Sequence, residues 1–128
     1  MTTLIAFCYV GLGGMAGAMA RYGMTLALQS HSLVLPLGTL GANLAGCFLI
    51  GAITQLAASV EVFPPEARLL LATGFCGGFT TLSSMVFELD RLLRDGELYL
   101  GSLYLLATLG GGYLGLLLGM LSIRLLLR

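Results

Sequence analysis

The stretch Thr73 to Glu88, TGFCGGFTTLSSMVFE, lies inside an apolar segment, yet it carries Gly74, Gly77 and Gly78, then Thr80, Thr81, Ser83 and Ser84, then a carboxylate. Glycine loses more conformational entropy in a helix than other residues, and hydroxyl side chains compete for helical backbone groups, so this composition predicts an interrupted helix. A bilayer tolerates an interruption only where protein or a water-lined cavity receives the freed N–H and C=O groups. The stretch therefore predicts an ion site or a permeation path set into a membrane span.

Composition supports a membrane setting. The 128 residues are 58% hydrophobic and 9% charged, with a mean hydropathy of +0.99. A helix needs about 20 apolar residues to cross the hydrocarbon core. Four runs meet that length: Leu4 to Leu28, Leu33 to Val60, Leu69 to Phe87 and Leu98 to Ile123. The connectors are a Gln29 to Ser32 turn, an acidic Pro64-Pro65 corner and a charged Asp90 to Glu97 link, which leave no room for a soluble domain. Residues 1–128 are thus expected to form a single all-α domain of four transmembrane helices with a broken third helix.

The start lacks a basic n-region, and the first apolar run is too long and Gly-rich for a signal peptide, so it is expected to stay as a span. Cys8, Cys47 and Cys76 have neither a CxxC partner nor a nearby histidine and read as core thiols, and His31 between Ser30 and Ser32 reads as a solvated loop residue. No nucleotide motif or catalytic pair suggests an enzyme or an active pump, and no nucleic-acid partner is expected.

Polar residues follow helical spacing in each span. In the first, Gly13, Gly17 and Arg21 share one face, which predicts close packing against protein. An arginine at the centre of a span costs about 2.5–3.5 kcal/mol on insertion scales, so Arg21 must either snorkel as a helix anchor or meet a partner such as an anion. In the second, Thr39, Asn43 and Cys47 form a polar face beside a smooth stripe of Gly38, Ala42 and Gly46. Asn43 needs another helix, water or an ion to satisfy its amide. Past the break, Thr81, Ser84 and Glu88 fall on one strip, with Leu82, Met85 and Leu89 on the adjoining one. Hydroxyls donate to anions and accept from cations, so this ladder leaves the sign of the cargo open, while carbonyls of an unwound segment suit a small cation. In the fourth span Tyr104, Thr108 and Gly112 share a face, and Gly111, Gly115 and Gly119 make a small-residue ridge.

With four spans, Arg68, Arg124 and Arg128 fall on one side of the membrane, and Arg91, Arg94 and a snorkelling Arg21 on the other. Three basic residues against three give no orientation preference. Together with the glycine ridges, this balance predicts insertion in both directions and an antiparallel homodimer.

The order Gly13-Gly14, Gly17, Arg21-Tyr22, Gly38-Thr39-Leu40, Asn43, Thr73-Gly74-Phe75-Cys76-Gly77-Gly78, Thr80-Thr81 and Glu88 resembles the Fluc (CrcB) family of small membrane fluoride channels along nearly the whole chain. The resemblance implies a dual-topology antiparallel homodimer with two fluoride pores and a central Na+ held by break carbonyls, here those of Gly77 and Thr80. It also implies that Asn43 supplies a pore amide, and that Ser84 and Glu88 line the path beyond it. Tyr104 and Thr108 would belong to the polar track of the fourth helix, and Arg21 would sit near a vestibule. The inner (plasma) membrane is the expected location. The family usually has phenylalanines where this chain has Leu82 and Met85, so the positive ring edges that face fluoride are missing here. A serine or threonine at the position of Gly112 is also missing. The expected function is passive fluoride export through donors such as Asn43, Thr81, Ser84 and Thr108. The alternative is a small dual-topology multidrug or cation exchanger, which would want an acid in the first span, where Arg21 stands, and a tryptophan cage, where the chain has none. A non-transporting scaffold is a further rival.

Overall fold

A computed structural model describes residues 2–128. In chain order the elements are α1 (Thr3–Leu28), α2 (Leu37–Ser59), α3 (Pro65–Arg68), a π-helical stretch (Leu69–Cys76), α4 (Gly77–Phe79), α5 (Leu82–Arg94) and α6 (Leu98–Leu126). Four helical segments, Thr3–Leu28, Leu37–Ser59, Pro65–Arg94 and Leu98–Leu126, are long and apolar enough to cross a membrane. The protein is an all-α, multi-pass membrane protein whose third span is broken.

The second helix starts at Leu37 rather than Leu33. Ser32 Oγ accepts the N–H groups of Leu35 (2.8 Å) and Val34 (3.3 Å), and Pro36 disfavours helical geometry in the residue before it. The third span is longer than its apolar run at both ends. Pro65 opens it at a position where its missing N–H costs nothing, and Gly96, at φ 79°, closes it. There the Gly96 N–H donates to Leu93 O and the Glu97 N–H to Leu92 O, a Schellman cap.

The halves of the third span have different neighbours. The π-helical stretch and α4 pack along α1, whereas α5 leaves α1 and packs against α6; α2 and α6 form the other close pair. Both close pairs are backbone-to-backbone. A Cβ on Gly17 would overlap the Phe75 carbonyl, and one on Gly78 the Gly14 carbonyl. Between α2 and α6 the same holds of Gly51 against Leu116 and of Gly119 against Phe48. Met85, Leu92 and Tyr104 are the buried centre of a small core that Leu40, Leu89 and Leu105 complete.

The glycines of the opening stretch do not form the break. Gly74, Gly77 and Gly78 all lie in helical segments, and the chain becomes extended only at Thr80 (φ −87°, ψ 157°) and Thr81 (φ −152°, ψ 122°). Gly74 and Gly78 serve instead to bring α1 close.

Candidate functional site at the interrupted third span

A helix that stops leaves its last carbonyls without N–H donors, and in a membrane each needs another partner. Thr80 turns back on the helix end, and both its N–H and its Oγ1 reach Cys76 O at 3.0 Å. Arg21 Nε donates to Gly78 O at 3.2 Å. On the far side of the break, Asn43 replaces a backbone strand: Thr81 N–H donates to Asn43 Oδ1 (2.8 Å) and Asn43 Nδ2 donates to Thr81 O (3.1 Å). Asn43 is buried, and this reciprocal pair meets the need its sequence position announced. Among the described residues, no donor reaches the carbonyls of Gly77 and Thr80.

These two carbonyls belong to residues that line a groove of about 470 Å³ between α2, α6 and the third span, with Asn43, Thr81, Leu82 and Thr108 also on its wall. Gly77 is exposed, and a Cβ built on it would meet nothing within 4 Å. Thr81 caps α5, its Oγ1 accepting Ser84 N–H (3.2 Å) while its hydroxyl donates to Ser84 Oγ (3.2 Å). Thr81 therefore spends its proton on Ser84, and the Ser84 hydroxyl proton stays free for a further acceptor.

One turn further, Glu88 leaves this strip. Its Oε1 accepts from Thr39 Oγ1 at 2.8 Å and its Oε2 from the Tyr104 hydroxyl at 2.7 Å, which ties α5 to α2 and α6. Glu88 and Thr39 border a smaller cavity of about 230 Å³, together with Arg91 and the turn before α2. The expected continuous ladder is thus two clusters, Asn43 with Thr81 and Ser84, and Glu88 with Thr39 and Tyr104. Thr39 was readable as a member of the polar face of Asn43, but not as a partner of Glu88. The Thr108 hydroxyl is turned to Tyr104 O at 2.7 Å.

The remaining expected site residues separate. Leu82 is 71% exposed on the groove wall, whereas Met85, at 3%, is part of the core against Tyr104. The two positions do not form one apolar face toward the groove. Arg21 lines neither cavity and reaches the helix end instead. Where Gly112 replaces a hydroxyl, a Cβ would lie 3.2 Å from Cys47 Sγ, so the sulfur of α2 fills the space.

The sequence profile of the CrcB-like, camphor-resistance (CrcB) proteins matches residues 8–120, from α1 through most of α6. The chain belongs to the CrcB family. Among CrcB relatives it is 52% identical over 119 residues to a protein of Prosthecochloris aestuarii, covering 93% of each chain. It is 55% identical over 115 residues to one of Chlorobium phaeobacteroides strain BS1, covering 90% of each. A protein of Xanthomonas oryzae pv. oryzae strain MAFF 311018 shares 40% over 126 residues, which is 98% of this chain and 93% of the relative. All three bear the name fluoride-specific ion channel FluC. The CrcB match contains every residue of both polar clusters.

Proposed function

We propose that this protein is a fluoride-selective passive channel, not an enzyme, that lets cytoplasmic fluoride leave across the inner membrane. The observation that carries this reading is similarity over nine-tenths of the chain to proteins named fluoride-specific ion channels. The chemistry of the break supports it. A small, strongly hydrated anion needs donors in place of water. The second N–H of Asn43 and the free Ser84 hydroxyl proton are donors the fold has not consumed. An interior-negative potential drives an anion outward with about 2.3 kcal/mol per charge per 100 mV, so no coupled energy source is needed.

The channel works as an antiparallel dual-topology homodimer in the lipid bilayer, each copy bringing its broken third span to the groove. A small cation such as Na+ suits the carbonyls of Gly77 and Thr80, hard oxygen ligands without donors on residues that line that groove. Bound there, the ion would neutralise the partial negative charge of the helix end. The pathway residues are Asn43, Thr81, Ser84, Glu88, Tyr104 and Thr108, with Leu82 as an apolar wall; Met85 supports the path from behind, through Tyr104.

Purified protein in liposomes tests the reading. Fluoride efflux should far exceed chloride efflux and proceed without a proton gradient. Proton-coupled uptake of organic cations would instead make the protein an exchanger, and the absence of any flux would make it a scaffold.

A further inference from the structure

α1 presents Gly13, Gly17 and Arg21 on one face at four-residue spacing, and the three make a graded approach to the third span. At Gly13 a Cβ would lie 2.8 Å from the Phe75 nitrogen and 3.0 Å from Gly74 Cα; at Gly17 it would lie 2.8 Å from the Phe79 nitrogen. Backbones this close set the axis of α1 against α4. The next residue on the face, Arg21, then stands level with the end of α4, where its Nε meets Gly78 O at 3.2 Å.

Gly77 and Gly78 face opposite ways. A Cβ on Gly78 would run into the backbone of Gly14, whereas one on Gly77 would enter open space on the groove side. Arg21 thus fixes the Gly78 end of the helix on the α1 side, while the carbonyls of Gly77 and Thr80, residues of the groove wall, accept from no donor among the described residues. A guanidinium is a strong, charge-assisted donor and is favourable at a helix C-terminus, so it holds the last turn in place without occupying the groove.

We infer that Arg21 is a positioning residue for the cation site, acting through the Gly78 carbonyl to keep the break open and the Gly77 and Thr80 carbonyls turned to the groove. This rests on the proposal that a small cation binds there. The role differs from that of a vestibule charge, because it requires a hydrogen bond to one backbone oxygen.

The test is thermal unfolding of the purified full-length protein, titrated with Na+ at constant ionic strength with N-methylglucamine as the replacing cation. The wild type should be stabilised by Na+ with a defined half-maximal concentration. Arg21→Met, which keeps the stem but has no donor, should raise that concentration about tenfold, the scale of one lost charge-assisted bond. Arg21→Lys, which can still donate to Gly78 O, should keep it within about threefold. Where Arg21→Met yields too little folded protein, Arg21→Gln should show the same upward shift. A merely structural arginine would lower the unfolding temperature equally at every Na+ concentration and leave the half-maximal value alone, and that result would overturn the inference while sparing the cation site. A wild type stabilised no better by Na+ than by N-methylglucamine would overturn the cation reading itself and the inference with it.

Discussion

At the residue scale the site turns on amide chemistry. Asn43 both accepts from and donates to the Thr81 backbone, something a carboxylate of the same shape cannot do. Asn43→Asp keeps the bond from Thr81 N–H but sets an oxygen against Thr81 O, so it should lower stability by about 1–3 kcal/mol and fluoride flux by at least about tenfold. Thermal unfolding and liposome efflux measure the two, and wild-type values in both would remove Asn43 from the site. The two sites of the missing phenylalanines part company on burial. Phe at Leu82, 71% exposed, has room; Phe at Met85, 3% exposed and packed on Tyr104, overfills a core. Leu82→Phe should unfold at the wild-type temperature, while Met85→Phe should be destabilised by about 1–3 kcal/mol. Equal behaviour of the two variants would mean that Met85 faces open space. That Asn43 needs a partner was legible in the sequence, since a buried amide always does. Which backbone answers it was not, because the answer lies 38 residues away in sequence.

At the scale of elements, periodicity carried most of the fold. Four apolar runs became four spans, and the Gly111, Gly115 and Gly119 ridge packs on α2 as its spacing implied. The break lies inside the predicted stretch, but its glycines do not make it, for a physical reason. Glycine weakens a helix in isolation, but inside a packed bundle its missing side chain is what lets two helices touch, and that gain outweighs the propensity cost. The interruption falls instead after the last helical bond, from Thr80 N–H to Cys76 O, where the next N–H, that of Thr81, is taken by Asn43. The π-helical turns of Leu69–Cys76 left no mark in composition at all. Glycines on α1 therefore divide into those that pack and those that do not. Gly17→Ala should push α1 off the Phe75 carbonyl and destabilise the protein by about 1–3 kcal/mol, whereas Gly23→Ala, with nothing within 4 Å, should be neutral or slightly stabilising. Unfolding in detergent compares the pair, and equal stability would mean that α1 does not approach the third span closely.

At the scale of the whole molecule, apolar exposure carries no information, since lipid covers residues such as Phe7, Leu106 and Leu118 as well as protein does. Polar exposure does carry it. Gly77 and Thr80, whose carbonyls accept from no donor among the described residues, line a groove within the membrane-spanning region, and an unsatisfied carbonyl facing hydrocarbon costs several kcal/mol. Lipid cannot cover that groove at equilibrium, so an ion, water or a second copy must. An antiparallel second copy answers both this need and the near balance of arginines across the membrane, three against two once Arg21 is held at the break. The two requirements are separable by a side chain that meets nothing in its own chain. Gly77→Leu starts a bulky group from a Cβ that would meet nothing of its own chain within 4 Å and improves helix propensity, so a single chain should fold at least as well. Across a dimer axis the same side chain would hold the two grooves apart. Cross-linking in liposomes at high dilution should therefore find the wild type paired and Gly77→Leu largely single, with fluoride flux lost in step. Tags at the N-terminus of the wild type should be accessible from both sides of the membrane in comparable amounts. A Gly77→Leu protein that remains paired and conducting would move the interface away from the broken third span, and the carbonyls would then have to be satisfied by water or an ion.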